Sequence, residues 1–305
     1  MDLSIVTTLY DSSAHLNEFY DRITKTAEKI TQDFEIIFVN DGSPDNSLKI
    51  AISLHNKNKR VKIIDLSRNF GHHKAIMTGL SHTKGDLVFY TDVDLEEDPE
   101  LLEPIYKEYR KQDDVDVVFA IQEKRRGHIY EKISGTFFYK MFNFFSDIKV
   151  VPDAMISRLM SKRYVTSLIR HKENELFILG LWENTGFKQV QLTANKHSRG
   201  QTTYKLRRRI SLMVNAITSF SNKPLKYIFY LGALISFISF VTGSYLIINK
   251  LFFGGMLTGW SSIMTSIWLF GGLIIFSLGI IGIYLSKIFI ETKQRPYTII
   301  RKIYN

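Results

Sequence analysis

Leu87-Val88-Phe89-Tyr90-Thr91 runs directly into Asp92-Val93-Asp94-Leu95-Glu96-Glu97-Asp98. An apolar run with no polar alternation predicts a strand covered on both faces, here Asp86–Tyr90. The acidic loop after it is the first candidate for chemistry. Working back toward the N-terminus, the same arrangement recurs three times. Strands are predicted at Leu3–Thr8, Glu35–Val39 and Val61–Asp65, with helices over His15–Ile30, Asp45–His55 and His72–Ser81 between them. Working forward, a helix over Glu100–Lys111 and a strand over Val115–Ala120 follow. Apolar strands separated by helices indicate a mostly parallel sheet in a doubly wound α/β domain, whose ligands bind beyond the carboxyl ends of the strands.

Polar, turn-prone residues follow each of the first four strands. They are Thr8-Leu9-Tyr10-Asp11, Asn40-Asp41-Gly42-Ser43-Pro44-Asp45, Ser67-Arg68-Asn69-Phe70-Gly71 and the Asp92–Asp98 loop. One such loop is ordinary turn chemistry; four converging on one edge form a candidate site. Asp92 and Asp94 can bind a hard divalent cation through oxygen, and such a cation bridges nucleotide phosphates and neutralises a departing diphosphate. The plainer reading of the same residues is a solvated acidic turn before Pro99. Asp41 can accept hydrogen bonds from a base or ribose, or simply close an Asx turn. Arg68 has the fork geometry that suits phosphate oxygens. No G-x-G-x-x-G follows the first strand and no G-x-x-x-x-G-K-[ST] occurs, which argues against dinucleotide and P-loop sites.

The 305 residues hold 40 Lys and Arg against 30 Asp and Glu, a formal net charge of +10. Hydrophobic content of 45% excludes a disordered chain, and the absence of Cys excludes disulfides, thiolate metal sites and a Cys nucleophile. The charge is split. Residues 1–183 carry a net −4, whereas residues 184–305 carry +14 with Glu291 as their one acid. A basic C-terminal part points to nucleic acid or to a membrane. Two hydrophobic runs favour the membrane. Tyr227–Ile248 is 22 residues without a charge, and Leu251–Ser286 is another 36 broken by glycine-containing turns. About 20 apolar residues span a bilayer core, so transmembrane helices are expected at 227–249 and 263–286. The cations Lys205, Arg207, Arg208, Arg209, Lys223 and Lys226 precede the first span. Lys287, Lys293, Arg295, Arg301 and Lys302 follow the second, and only Lys250 lies between. The positive-inside rule then places both termini in the cytoplasm and the chain in the inner membrane. The expected organisation is a catalytic domain over 1–200, a basic juxtamembrane segment over 201–226, the two spans, and a basic tail over 287–305. Residues 128–148 alternate aromatic residues with Lys132 and Lys140, as an amphipathic helix on the membrane surface would.

Together, Val39–Asp45, Ser67–Gly71 and Asp92–Leu95 resemble glycosyltransferase family 2, and in particular its polyprenyl-phosphate branch. The C-terminal spans and Thr218–Leu225 before them are similar to bacterial members of that branch. The resemblance implies a GT-A fold, a Rossmann-like catalytic domain followed by a two-helix transmembrane hairpin. It implies inverting transfer of a sugar from a nucleotide-sugar to polyprenyl phosphate. By resemblance Thr8, Tyr10, Asp41, Ser43, Arg68 and Asp92 lie in the nucleotide-sugar pocket. Asp92, Asp94 and Glu96 surround Mg²⁺ or Mn²⁺, with Glu96 standing where the family usually has Gln. The donor is expected to be a UDP-hexose or UDP-N-acetylhexosamine used in surface-polysaccharide modification. Bacterial relatives imply a homo-oligomer, a tetramer, with membrane lipids and no nucleic acid as partners.

The chain departs from the family pattern in three places. The family's Pro-x-Tyr-Asn-Glu is here Thr8-Leu9-Tyr10-Asp11-Ser12. Its Asp-Phe-Arg-Leu-Met, whose Asp is the proposed base, is here Ile156-Ser157-Arg158-Leu159-Met160. Its Arg-x-x-Gly-x-Ser-Lys-Tyr is here His197–Tyr204 with Thr203 for Lys. A phosphate monoester, with a second pKa of about 6, attacks a sugar carbon without deprotonation. A hydroxyl acceptor needs a general base far more. The loss of Asp at position 156 therefore fits a lipid phosphate, while Asp153 is an alternative catalytic carboxylate alongside Asp94. Arg199, Thr202, Tyr204, Arg207, Arg208 and Arg209 are the expected contacts to the acceptor phosphate and anionic headgroups. Two other readings stay open: transfer to a lipid-linked oligosaccharide or glycolipid hydroxyl, and a non-catalytic nucleotide-sugar-binding scaffold.

Overall fold

In β1 (Leu3–Leu9) and β2 (Phe34–Asn40) every residue is buried, because helices cover both faces of the sheet. The computed structural model describes residues 1–122, 141, 143–146, 149, 151–174, 176–194, 214, 217–219, 221–253 and 259–305. β3 (Val61–Leu66) pairs parallel with β2, and β4 (Leu87–Tyr90) pairs parallel with β1 on the other side. The crossovers are α1 (Leu16–Glu28), α2 (Ser47–Lys57) and α3 (His72–Leu80). In α1 the residues Leu16, Phe19, Ile23 and Ala27 are buried, spaced along one face at helical period. These elements agree with the sequence expectations to within about two residues at each boundary.

A 3₁₀ turn at Pro99–Leu101 leads into α4 (Leu102–Lys111) and β5 (Val117–Gln122). The sheet then departs from a simple parallel array. β6 (Ala154–Ser161) lies antiparallel between β4 and β5, and β7 (Gln189–Ala194) runs parallel to β5. The short helices α5 (Lys162–Leu168) and α6 (Ile178–Asn184) lie between them in sequence. Among the described residues the sheet has eight strands in the order β7-β5-β6-β4-β1-β2-β3-β8. Apolar clusters lie on both faces. Ile5, Phe19, Phe38 and Phe89 belong to one, and Val6, Ile76, Tyr90 and Trp182 to the other.

Two long helices follow, α7 (Lys223–Phe253) and α8 (Trp260–Thr292). Within α8, Ser266–Thr292 is long and apolar enough to cross a membrane, with a mean hydropathy of 2.3 and none of it buried. Large apolar side chains on both helices face outward, among them Phe229, Phe237, Trp268 and Ile275. The segment expected as a basic tail does more than carry charge. Ile300–Tyr304 forms β8, which pairs antiparallel with β3 and closes that edge of the sheet.

Candidate active site

β1 to β4 are parallel, so their carboxyl ends and the loops after them lie along one edge. Side-chain hydroxyls tie the first two loops together. Ser43 Oγ accepts from Asp11 N–H at 2.8 Å, and Ser47 Oγ accepts from Ser12 N–H at 3.0 Å. Asp45 accepts from Ser13 N–H at 2.8 Å and from the Ser47 hydroxyl at 2.6 Å. Burial alone would raise the Asp45 pKa; the hydrogen bonds from Ser47 and Ser13 outweigh it and hold this carboxyl well below the usual carboxylate range. Tyr10 stands 54% exposed above this framework, and Thr8 is buried beneath it.

Asp41 is buried, and its carboxylate ties down the loop after β3. Its two oxygens accept from Phe70 N–H at 2.7 Å and Gly71 N–H at 3.0 Å. Each carboxylate oxygen has two lone pairs and so retains acceptor capacity beyond these amides. Gly42, at φ +64°, lets the two loops touch. A Cβ there would lie 2.5 Å from Asn69 N and 2.6 Å from the Arg68 carbonyl carbon. Arg68 is exposed and lies over the Phe70 ring, 4.2 Å from its centroid. Gly71 caps the start of α3, whose N-terminus therefore faces this edge.

The acidic loop is shaped by alternation. Val93 and Leu95 are buried at 4% and 2%, with Leu95 in the left-handed region at φ +59°, while Asp94 stands exposed. Asp92 and Glu96 are half-buried between them in the pattern. Asp92 Oδ1 accepts from the Tyr90 hydroxyl at 2.6 Å, and Asp94 Oδ1 accepts from Glu96 N–H at 2.9 Å. Burial first, and then the Asp92 charge, hold the Tyr90 phenol well above its usual pKa, so it remains a donor to Asp92. Glu97 turns inward. Its two oxygens accept from Ile156 N–H at 2.9 Å and Ser157 N–H at 2.8 Å, while Thr91 and Ser157 share a hydroxyl contact of 2.8 Å. The acidic loop is thus laid across the start of β6. Ile156 lies beside it, and Asp153 lies in the turn before β6 at φ +58°.

His72 is a site residue that the sequence reading missed. Its Nδ1 lies 3.1 Å from Thr8 Oγ1 and its Nε2 lies 3.5 Å from Asp92 Oδ1, so it stands between the end of β1 and the loop after β4. Burial lowers its pKa, opposed by the negative charges of Asp41 and Asp94. The available signal was position alone, as the residue directly after Ser67–Gly71. Glu97 was missed because an acidic run hides which member points inward.

Asp92 and Asp94 offer oxygen donors from one loop, the chemistry a hard divalent cation requires. Among the described residues, no three His, Cys, Asp or Glu side chains gather into a preformed metal cluster. Mg²⁺ is commonly held by one or two carboxylates together with substrate phosphates, so the pair fits a cation that arrives with its nucleotide. Arg199, Thr202, Tyr204, Arg207, Arg208 and Arg209 lie outside the described residues, as does most of 128–148. The described part of that segment meets α7. Phe144 stacks on Tyr227 with centroids 6.1 Å apart, and Lys223 Nζ donates to the Ser146 carbonyl at 2.7 Å.

The family model described as glycosyl transferase family 2 matches residues 4–169. A glycosyltransferase of Mycobacterium tuberculosis (strain CDC 1551 / Oshkosh) is 52% identical over 304 residues, covering 100% of this chain and 89% of that one. The prophage bactoprenol glucosyl transferase homolog of Escherichia coli (strain K12) is 30% identical over 307 residues, covering 99% of each. Among solved structures, mannosyl-3-phosphoglycerate synthase from Rubrobacter xylanophilus overlaps 76% of this chain and 75% of its own, at 17% identity and a TM-score of 0.49.

Proposed function

This chain belongs to glycosyl transferase family 2, and from that premise we propose that it transfers a sugar from a nucleotide-sugar to a polyprenyl phosphate at the cytoplasmic face of a membrane. The observation that carries the reading is the juxtaposition of a polar, acidic loop edge with a long apolar helix. The loops bearing Asp41, Arg68, Asp92 and Asp94 occupy one edge of a sheet whose last strand, β8, follows directly on the apolar helix α8. The bactoprenol named in the Escherichia coli relative is a lipid carrier of this chemical class. Because β3 and β8 share one sheet, the chain between them crosses any membrane an even number of times. Two crossings suit α7 and α8, which at 31 and 33 residues each exceed the bilayer core.

In the proposed reaction an acceptor phosphate oxygen attacks the anomeric carbon of the donor sugar. The new carbon–oxygen bond forms on the face opposite the nucleotide, the bond to the diphosphate breaks, and the nucleoside diphosphate leaves with that electron pair. Configuration is inverted. The phosphate dianion arrives without a proton to lose, so no carboxylate is required at Ile156. Asp92 and Asp94, with Glu96 beside them, would hold Mg²⁺ or Mn²⁺; the cation would neutralise charge on the departing diphosphate. Tyr10, Asp41, Ser43 and Arg68 orient the nucleotide. Arg199, Thr202, Tyr204 and Arg207–Arg209 meet the acceptor phosphate.

The test is direct. Purified protein in detergent receives undecaprenyl phosphate and a panel of labelled UDP- and GDP-sugars, with Mg²⁺ or with EDTA. Label entering the organic phase only with the metal is the expected result. Nucleotide-sugar binding or hydrolysis with no label entering the organic phase for any donor would overturn the acceptor assignment.

A further inference from the structure

We propose that β8, through Arg301, positions the loops that hold the donor nucleotide. The C-terminal strand is then part of the donor site's framework as well as the end of the anchor. This inference rests on reading the carboxyl edge of the sheet as the donor pocket.

Two routes lead from β8 to that edge. The first is backbone and side chain together. Ser67 N–H donates to the Ile299 carbonyl at 2.9 Å, and Arg301 Nη2 donates to the Ser67 carbonyl at 2.6 Å. Both bonds grip Ser67, the first residue of the loop that carries Arg68 and supplies the Phe70 and Gly71 amides to Asp41. The second route is a chain of polar side chains. Arg301 Nη1 lies 3.7 Å from Asp65 Oδ2, and Asp65 is buried at 2% exposure. Asp65 Oδ1 accepts from Asn40 Nδ2 at 2.8 Å, and Asn40 Oδ1 accepts from Ser43 N–H at 3.3 Å. Ser43 in turn holds the Asp11 amide. Arg301 therefore reaches the loops after β1, β2 and β3 without lying among them.

The ladder itself is irregular at this point. The register between β3 and β8 shifts between Asp65 and Leu66, so the pairing that would otherwise fix the end of β3 is weakened where Arg301 acts. A buried carboxylate that loses its cation is strongly unfavourable. The end of β3 should then readjust around Asp65 and carry Ser67 and Asn40 with it. The tail is also held upstream, by the Thr78–Thr298 hydroxyl contact of 2.8 Å and by Asn174 N–H donating to Glu291 Oε1 at 2.7 Å. These contacts explain how a strand at the C-terminus keeps its register against a partner so distant in sequence.

The experiment uses the full chain in detergent, with UDP and Mg²⁺ as the probe. UDP affinity is measured by calorimetry, the KM values of donor and acceptor are measured separately, and the unfolding midpoint is recorded. The variants are Arg301→Met, Arg301→Lys and the double variant Asp65→Asn/Arg301→Met, the last removing the buried charge together with its partner. Arg301→Met should weaken UDP binding and raise the donor KM by about tenfold, with kcat and the acceptor KM within about twofold of the unaltered chain. Arg301→Lys should recover part of the loss. The double variant should regain the unfolding midpoint but not the UDP affinity, since the Ser67 contact is still missing. A lowered midpoint with unchanged UDP affinity in Arg301→Met would overturn the positioning role and leave Arg301 a structural residue. Absence of both UDP and GDP binding by the unaltered chain would overturn the donor-pocket reading itself, and the positioning role with it; if GDP alone binds, the same measurements are made with GDP.

Discussion

Glu35 and Asp94, at opposite edges of the sheet, are held in opposite ways. At the amino edge, Glu35 is fully buried and closed off by its own chain. It accepts from the Ser4 hydroxyl at 2.6 Å and from Lys84 N–H at 2.8 Å, and it pairs with Lys62. At the carboxyl edge, Asp94 stands exposed and accepts from Glu96 N–H in its own loop. A buried carboxylate surrounded by donors contributes to folding. A carboxylate held outward on a rigid loop is available to a ligand. Residue type alone does not separate these roles, and neither does the edge alone, since Asp41 and Glu97 at the carboxyl edge are also buried and bonded to amides; exposure on a loop beyond the strand ends does.

The largest effects should come from exchanging those roles. Asp94→Asn keeps the shape of the loop and removes a charge, so turnover should fall by about a thousandfold or more while the unfolding midpoint stays unchanged. Glu35→Ala leaves Lys62 without its partner and opens a buried polar gap. It should cost about 3–5 kcal/mol of stability, read by denaturant unfolding, while the activity per folded molecule is retained. Near-normal turnover in Asp94→Asn would remove the metal assignment, and an inactive but stable Glu35→Ala would break the contrast between the edges.

Two glycines sharpen the same contrast. A Cβ on Gly42 would meet the Asn69 and Arg68 backbone at 2.5 and 2.6 Å, and the residue sits at φ +64°. A Cβ on Gly85 would meet Ser4 N at 2.5 Å and the Leu3 carbonyl carbon at 2.7 Å. Both substitutions push on backbone, which cannot give as the tip of a side chain can. Gly42→Ala should displace the Asn69–Gly71 loop and weaken UDP binding by about thirtyfold, with a modest change in the unfolding midpoint. Gly85→Ala should lower the midpoint and leave UDP affinity in the remaining folded protein unchanged. Calorimetry with UDP alongside thermal unfolding separates the two.

The legible half of this molecule is the half with regular chemistry. β1 to β5 are mainly apolar runs between helical repeats, and the four loops after β1 to β4 were visible as polar punctuation. β6 was not visible, because Arg158 and Ser157 interrupt its pattern. Burial of Arg158, whose guanidinium lies 3.0 Å from the centre of the Trp182 ring, becomes possible only once α6 brings that tryptophan over the strand. Burial lowers the Arg158 pKa to about 9. β8 was hidden for another reason. Ile300-Arg301-Lys302-Ile303-Tyr304 carries two cations in five residues and reads as a basic tail. It becomes a strand because β3 presents an unpaired edge, and an edge strand tolerates outward charges. At the site, Asp41, Arg68, Asp92 and Asp94 were legible as motif residues. His72, Glu97 and Tyr90 were not, since each acts through a partner that only the fold supplies.

The smallest effect tests how much of the carboxyl edge depends on His72. The Tyr90 hydroxyl holds Asp92 Oδ1 at 2.6 Å, whereas His72 Nε2 stands at 3.5 Å, beyond a good hydrogen bond. Tyr90 should therefore fix the carboxylate even when the imidazole is removed. What His72→Ala takes away is the 3.1 Å link to Thr8, and with it one tie between the end of β1 and the start of α3. Donor kcat/KM should fall by about threefold to fivefold, with the loss mainly in the donor KM, and Tyr90→Phe should cost more. A loss in His72→Ala approaching that of Asp94→Asn would move the imidazole from a tie between β1 and α3 to a direct ligand of the diphosphate or its cation. The exposed chemistry of this edge would then extend from the acidic loop to the start of α3.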